Sequence, residues 1–227
     1  MALLERTIVE DAIFHCIDEI PPGTRYVPPQ LLTVDEFYEM IDEESPAELD
    51  EGAIVMPSPV GLHHEDCFVF LVMLLRGFVD ARAMGTVLGS RFKSRLGPRT
   101  AREPDILFVS KARNHLVQPL EVNGAPDLVV EIINSNKGRS EAMDKVAQYE
   151  RAGVVELWLV DLPKRRVHKL LLAEGAYCEE ILEEGGQLTS SAIPGFHIAV
   201  DVLFSAPGHY PPAVTSFQEL LTTSEQG

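Results

Sequence analysis

The alternation of apolar and polar positions along the chain predicts strands and helices in mixed order. Segment 127-DLVVEII-133 is a short run of β-branched and apolar residues, which is typical of a central strand buried on both faces. Residues 139–153 are predicted to form a helix with Gly153 as its C-cap, and 156-ELWLVD-161 follows as the next strand. A strand, helix, strand order predicts a right-handed crossover and parallel pairing of the two strands.

Segments on either side of this unit add antiparallel strands. Residues 86–96 alternate in polarity and, through the turn GPRT, predict a hairpin with the strand 105-DILFVS-110. Residues 166–172 and 176–182 predict a second antiparallel pair. The elements together predict an α/β protein whose mixed β-sheet core is flanked by helices.

Two helices are expected before this core. Thr33 and Glu36 form a capping-box pattern, which predicts the start of a short helix. A longer helix is predicted from about His63 to Ala83, stopped by Gly85, and it is apolar on most of its sides. A helix of this kind packs in a core or in a subunit interface, so we also expect a homodimer.

The two ends of the chain are expected to lie outside the main domain. Residues 1–30 contain a predicted short helix over 3–17 and a Pro-rich break, and we assign them to an N-terminal extension. Residues 31–205 are assigned to the domain, and residues 206–227 to a dispensable C-terminal tail.

Composition and charge narrow the function classes. The chain has 227 residues, of which 45% are hydrophobic, and its formal net charge is −16. Such a charge repels polyphosphates at long range and counts against a high-affinity nucleic-acid-binding protein. An enzyme is still compatible with it, because a bound divalent cation and a few local basic groups can reverse the field inside one cleft.

The cysteines and the apolar runs indicate the compartment. Cys16, Cys67 and Cys178 are widely spaced and form no CxxC pattern, which argues for a reducing environment. The N-terminal stretch does not resemble a secretory signal, and the longest apolar run, 67–75, is too short to cross a bilayer. We therefore expect a cytoplasmic protein without a membrane segment.

One acidic residue, Glu131, interrupts an otherwise apolar strand. Burial of an unpaired carboxylate costs several kcal/mol, so hydrogen bonds, a cation or a metal must compensate it. Asp105 opens a neighbouring strand, and adjacent strands lie about 5 Å apart. Two carboxylates at matching heights can hold Mg²⁺, which polarises a phosphoryl oxygen and activates water for phosphodiester hydrolysis.

A lysine is the natural third group, because its ammonium can stabilise an attacking hydroxide or the charge of the transition state. Position 133 shares a face with Glu131 but is Ile. The nearest basic candidates are Lys137, Arg139 and, on the following helix, Lys145.

The order of these residues resembles the Uma family of restriction-endonuclease-like proteins, within the PD-(D/E)XK nuclease superfamily. The resemblance runs from about Thr33 to Phe204 and implies a restriction-endonuclease-like fold and a metal-dependent endonuclease that hydrolyses DNA phosphodiester bonds. It also implies Mg²⁺ or Mn²⁺ as cofactor and DNA as partner. The motifs that carry it are PD at 104–105, VEII at 130–133 and KVAQYERAGVVELWLVD at 145–161.

Carried over to this chain, the resemblance implies that Asp105 and Glu131 ligate the metal. It also implies that Lys145 replaces the lysine that usually stands two residues after the acid. The chain departs from the family at 134–136, where it has Asn-Ser-Asn in place of Ser-Pro-Ser, and at Glu141, where Asp is usual. Supporting positions are Glu48, His64 and Tyr149, and the candidate phosphate contacts are Arg91, Lys93 and Arg139.

The central candidates also have purely structural interpretations. Asp105 fits a turn residue after a proline, and Glu131 fits a buried ion pair with Lys145 or Arg139. Lys145 fits a surface cation paired with Glu141 four residues earlier.

The peripheral candidates have structural interpretations as well. His64 fits a polar group at a helix start, Tyr149 fits helix packing, and Asp127 is favoured as a strand-entry residue. Arg91, Lys93 and Arg95 together fit a solvated strand face.

Two other functions stay open at this point. The first is a nuclease-fold protein that no longer cuts and serves as a binding or assembly module. The second is a small-molecule metal hydrolase that uses His63, His64, Asp105 and Glu131, although the chain has no HExxH-like spacing.

Overall fold

Two mixed β-sheets, a short two-stranded sheet and five α-helices make up the part of the protein that the computed structural model describes, residues 7–9, 17, 20–42 and 45–223. The α-helices are α1 (Val34–Met40), α2 (Leu62–Ala81), α3 (Asn136–Ala152), α4 (Val200–Leu203) and α5 (Ala213–Thr223), with a 3-10 helix at Lys111–Leu116. The strands are β1 (Thr7–Val9), β2 (Thr24–Tyr26), β3 (Glu48–Asp50), β4 (Ala53–Val55), β5 (Gly85–Gly89), β6 (Lys93–Gly97), β7 (Thr100–Arg102), β8 (Ile106–Ser110), β9 (Glu121–Val122), β10 (Leu128–Ile133), β11 (Glu156–Asp161), β12 (Arg166–Ala173), β13 (Ala176–Leu182), β14 (Gln187–Thr189) and β15 (His197–Ala199).

The central sheet has the strand order β13-β12-β11-β10-β8-β5. As predicted, β10 and β11 pair in parallel across the α3 crossover, and β12 and β13 pair antiparallel. Strand β10 is buried along its whole length, so the sequence-based prediction of a strand covered on both faces is confirmed. Val130 and Ile132 join the apolar cluster that includes α2, whereas Val129 and Ile133 join the cluster that includes Tyr149 of α3.

The other large sheet, which we call the first sheet, has the order β1-β2-β4-β3-β7-β6-β9. Helix α1 begins with the predicted capping box, in which the Thr33 side chain and the Glu36 side chain each bond to the other's backbone N–H. Phe37 of α1 and Leu49 of β3 belong to the apolar cluster of this sheet.

The hairpin predicted between residues 86–96 and 105–110 is wrong in its turn and right in one pairing. Strand β5 does pair antiparallel with β8, but Ser90 and Arg91 have φ angles of 50° and 63° and end it. The chain then enters the other sheet, where the GPRT turn joins β6 to β7. Alternation alone could not reveal the break, because neither residue is a type that favours the left-handed region.

Helix α2 ends at Ala81, before the predicted Ala83, and its apolar sides are largely covered within the chain. One side packs on the central sheet, and α5 covers another, with the Phe217 ring against Gly77 and Leu220 buried in the same cluster. Leu62, Val69 and Met73 are left exposed. In the described ranges, no helix is both long and apolar enough to span a membrane.

Residues from both predicted terminal segments take part in the fold. The helix predicted over 3–17 is wrong at Thr7–Val9, which is a strand parallel to β2; three β-branched residues favour a strand. The rest of that prediction, apart from Ile17, lies outside the described residues. Tyr26 is buried in the cluster of the first sheet, and Leu220 in that of the central sheet, so neither 1–30 nor 206–227 is simply peripheral. The division into three segments stays a prediction.

A buried carboxylate fastens the segment after β14 to the central sheet. Glu156, at the start of β11, accepts hydrogen bonds from Trp158 Nε1, Ser190 Oγ, Ser191 N and Ala192 N at 2.8–2.9 Å. Its side chain is fully buried, so these four donors together replace its hydration.

We predict that Glu156→Ala lowers the free energy of unfolding by about 3 kcal/mol or more, because it leaves several buried donors without an acceptor. Urea denaturation followed by circular dichroism measures this change. The control is Glu184→Ala at an exposed position, for which we expect a change within about 0.5 kcal/mol. Equal effects of the two substitutions would show that the Glu156 cluster contributes no specific stability.

Candidate active site

An open cleft of about 410 Å³ is lined by residues of both large sheets and of α2 and α3. Prolines from three loops, at positions 22, 46, 57 and 59, form part of its wall. Five of the residues singled out in the sequence as catalytic or supporting line this cleft, and Arg91 lines it too. The five are Glu48, His64, Asp105, Glu131 and Lys145.

Lys145 brings the two sheets together inside this cleft. Its Nζ lies 2.8 Å from Glu48 Oε1 of the first sheet and 3.2 Å and 3.4 Å from the two carboxylate oxygens of Glu131 in the central sheet. Tyr149, one turn later on α3, donates its hydroxyl to Glu131 Oε1 at 2.6 Å. The surface pair of Lys145 with Glu141 is not formed; Glu141 instead accepts a hydrogen bond from Ser58 Oγ.

The pKa values of Glu131, Lys145 and Tyr149 are shifted strongly by burial and by neighbouring charges. Burial raises the pKa of Glu131 to about 7; the Lys145 ammonium opposes this, whereas the Asp105 and Glu48 carboxylates add to it. Burial alone would lower the pKa of Lys145, but Glu131 and Glu48 outweigh it and raise that pKa, so the ammonium stays charged. Burial and the nearby Glu131 raise the pKa of Tyr149, which keeps its hydroxyl a donor.

Asp105 lies just before β8, across from Glu131. The antiparallel register pairs Val130 with Ile106, and one step further along it places Asp105 opposite Glu131. Asp105 Oδ2 accepts a hydrogen bond from Ile132 N at 2.6 Å and lies 3.2 Å from His64 Nε2 of α2. Among the described residues, none donates a hydrogen bond to Oδ1.

The donor set of this cleft fits a hard divalent cation with few protein ligands. Asp105 and Glu131 are two carboxylates close enough for one to raise the pKa of the other, and a cation between them would relieve that repulsion. In the ranges that the structure describes, no three His, Cys, Asp or Glu side chains are grouped to enclose a metal ion. A cation here would therefore keep several water ligands, as Mg²⁺ commonly does.

The structure adds a polar network that the sequence did not indicate. Arg102 of β7 is fully buried, and it donates to Glu48 Oε2 at 3.1 Å and to Gln148 Oε1 at 2.7 Å. Gln148 in turn donates to Asp50 Oδ1 at 2.6 Å. Two spacings could have indicated this network, although they were not used: the acids at 48 and 50 share a strand face, and residues 145, 148 and 149 share a helix face. Burial opposes ionisation of Glu48, but Lys145 and Arg102 outweigh it and lower the pKa.

Lys93 and Arg139, which are candidate phosphate contacts, each pair with a carboxylate. Lys93 Nζ lies 2.6 Å from Glu103 Oε1 and is buried. Arg139 donates two hydrogen bonds to Asp161, at 2.7 Å and 2.6 Å. The third candidate, Arg91, lines the cleft.

The remaining candidates divide between structure and site. Asp127 accepts hydrogen bonds from Ser110 N and Arg113, as expected for a strand-entry residue. His63 Nε2 lies 3.0 Å from the carbonyl oxygen of Ser205, away from its neighbour's contact with Asp105. His63, His64, Asp105 and Glu131 thus do not form the metal-binding group of the alternative hydrolase hypothesis.

Comparisons with known proteins agree with the predicted fold. A family model, Uma2, described as "Putative restriction endonuclease", matches residues 34–201. The structure is similar to the crystal structure of a putative nuclease belonging to DUF820 from Anabaena variabilis, with a TM-score of 0.65 and 20% sequence identity. That likeness covers 76% of this chain and 97% of the other, and at this identity it shows the fold alone. No curated protein matches the chain.

The Arg139–Asp161 pair predicts a pH-dependent contribution to stability. Burial opposes ionisation of Asp161, but hydrogen bonds from Arg139 and from the Lys164 N–H outweigh it and lower the pKa. The resulting stabilisation is complete above the unfolded-state pKa of about 3.9 and is lost as pH falls through the lower folded-state value. We predict that Arg139→Gln lowers the free energy of unfolding by about 2 kcal/mol at pH 7 and by less near pH 3.

Urea denaturation at both pH values measures this difference. Arg151→Gln is the control, because Arg151 pairs with Glu51 at an exposed position and should contribute less than about 1 kcal/mol. A loss at Arg139 that is the same at pH 7 and pH 3 would rule out the Asp161 pair as its source.

Proposed function

The chain belongs to the family of restriction-endonuclease-like proteins whose model matches residues 34–201, and we propose that it is a metal-dependent endonuclease that hydrolyses DNA phosphodiester bonds. The observation that supports the proposal is the convergence of Asp105, Glu131 and Lys145 in one open cleft. Three separate parts of the fold supply these residues: the position just before β8, the middle of β10 and one face of α3.

Asp105 and Glu131 would hold the cation, which would be Mg²⁺ or Mn²⁺. When bound, such an ion supplies polarisation of a phosphoryl oxygen and a lowered pKa of a bound water. The carboxylates would hold the cation at a defined position because their own positions are fixed. Asp105 is held by Ile132 N, and Glu131 is held by the Tyr149 hydroxyl.

Lys145 provides positive charge for the transition state. Its contact with Glu48 is short, at 2.8 Å, whereas its two contacts with Glu131 are longer, at 3.2 Å and 3.4 Å. Glu48 therefore anchors the ammonium, and the N–H groups on the Glu131 side are the ones that can turn towards a phosphoryl oxygen. An ammonium anchored in this way needs little reorganisation to stabilise developing negative charge.

The charge of the cleft agrees with a cation requirement. Glu48, Glu65, Glu103, Asp105, Glu131 and Glu141 line it, whereas Arg91 and Lys145 are its basic lining residues. A phosphodiester is repelled by this surface until a divalent cation is present. Arg91 is the proposed contact for a backbone phosphate.

The homodimer and the cytoplasmic location stay predictions.

We predict that the protein nicks or linearises plasmid DNA in the presence of Mg²⁺ or Mn²⁺. Asp105→Ala, Glu131→Ala and Lys145→Met should each lower the rate by about 100-fold or more, because each removes charge stabilisation at the reacting phosphate. Gel analysis of supercoiled plasmid over time measures the rate. Asp127→Asn is the matched control, since it alters a Pro-Asp aspartate that pairs with Arg113 instead, and it should retain cleavage. Cleavage that survives both acid substitutions would contradict the site.

Cation binding separates this proposal from a nuclease-fold binding module. That alternative has one specific observation in its favour, because Glu48 and Glu131 already neutralise Lys145 without a further ion. We predict that calorimetric titration with Mn²⁺ detects one site that Asp105→Ala removes. A folded protein that binds no ion at millimolar concentration would favour the binding module.

A further inference from the structure

The chain after α4 is fastened to the first three turns of α2 by side chains on one side of that helix. His63 Nε2 lies 3.0 Å from Ser205 O, and Asp66 Oδ2 accepts a hydrogen bond from Gly208 N at 2.6 Å. The Phe70 ring packs against Tyr210 with centroids 5.0 Å apart. We call residues 205–210 the strap.

Helix α5 holds the far end of the strap in place. Its Leu220 is buried in the main apolar cluster, and its Phe217 ring lies so close to Gly77 that a Cβ there would come within 3.1 Å of it. Tyr210, at the end of the strap, also donates its hydroxyl to Leu203 O of α4. The strap is thus anchored at both ends and does not simply lie along the surface.

The strap and the cleft contact adjacent faces of the first three turns of α2. Positions 63, 66 and 70 recur at helical spacing on the face that meets the strap, and 64 and 71 lie on the face that meets the sheet. His64 belongs to the second face, is buried, and reaches Asp105 with its Nε2. A displacement of the first turn of α2 therefore moves the imidazole relative to the carboxylate.

The contact of His64 affects which oxygen Asp105 offers to the cleft. Oδ2 is engaged by Ile132 N from the neighbouring strand and by His64 from α2. Contacts from two different elements define the rotamer of the carboxylate and leave Oδ1 for a cation. In metal sites, removal of a group that orients a ligand in this way commonly weakens affinity for the ion by about 10–100-fold.

We propose that the strap positions His64 against Asp105, so that Ser205–Tyr210 is part of the machinery that sets the cation affinity of the cleft. The positioning of the carboxylate follows from contacts within this chain, whereas the effect on a cation rests on the proposed function. His63 and Asp66 act only through the helix and are positioning residues.

The test compares Asp66→Ala with two matched variants. Asp66→Asn keeps an acceptor for Gly208 N but removes the charge. Asp80→Ala removes the same charge at the other end of α2, where Asp80 pairs with Arg76 on the surface. His63→Ala interrupts the strap independently. The full-length protein is used throughout.

The first readout needs no metal. Hydrogen exchange of the Ile132 amide, followed by NMR, reports the bond to Asp105 Oδ2, and the Leu159 amide in the same sheet is the reference. We expect Asp66→Ala and His63→Ala to speed exchange at Ile132 about tenfold relative to Leu159, as for loss of about one hydrogen bond. Asp66→Asn and Asp80→Ala should leave the ratio unchanged.

The second readout is the Mn²⁺ dissociation constant from calorimetry, with Asp105→Ala as the variant that is expected not to bind the ion. We expect Asp66→Ala to weaken binding about fivefold, less than the direct effect of a group that touches the ligand. An unchanged Ile132 ratio in Asp66→Ala and His63→Ala would overturn the proposal, as would equal effects of Asp66→Ala and Asp66→Asn. If the Ile132 ratio changes in the variants but the wild-type protein binds no Mn²⁺, the result would support positioning by the strap and count against the proposed endonuclease.

Discussion

A single buried ammonium, that of Lys145, joins the two large sheets of this protein. It lies between Glu48 of β3 and Glu131 of β10, and all three groups are almost entirely removed from solvent. Burial of each charge costs several kcal/mol. The mutual attraction offsets this cost only when the charges are close and their remaining hydrogen-bonding positions are satisfied. The Tyr149 hydroxyl and the Arg102 guanidinium supply those additional bonds. This ion group therefore contributes to the relative placement of the two sheets and of α3.

The same group gives the cleft its chemical character. Helix α3 holds Lys145 between two acids, so its positive charge is already neutralised. The strand pairing places a further carboxylate, Asp105, opposite Glu131, and this adds a demand for positive charge that Lys145 does not meet. A hydrated divalent cation would meet that demand, and such an ion is also what phosphodiester hydrolysis needs. The fold, the family and the acid-rich lining of the cleft thus point to one kind of chemistry, although the net charge of the chain opposes nucleic acid at long range.

The sequence predicted those parts of the site that depend on local periodicity. The apolar run around Glu131 and the preceding Pro-Asp step were sufficient to place two carboxylates on neighbouring strands, and the structure has them there. Contacts between distant elements were not predictable in the same way, because a pattern defines which face is buried and not which element covers it. The buried Arg102 and the partner of Arg139 are examples. The break at Ser90 was not predicted for another reason: serine does not favour the backbone conformation that it adopts there.

The most direct test of the account is the position of a cation relative to these carboxylates. Crystals soaked in Mn²⁺ and measured for anomalous scattering would show it. The account predicts a peak that contacts Asp105 and Glu131, with the Lys145 ammonium still bonded to Glu48. No peak in the cleft of a well-ordered crystal, or a peak bound by other residues, would contradict it.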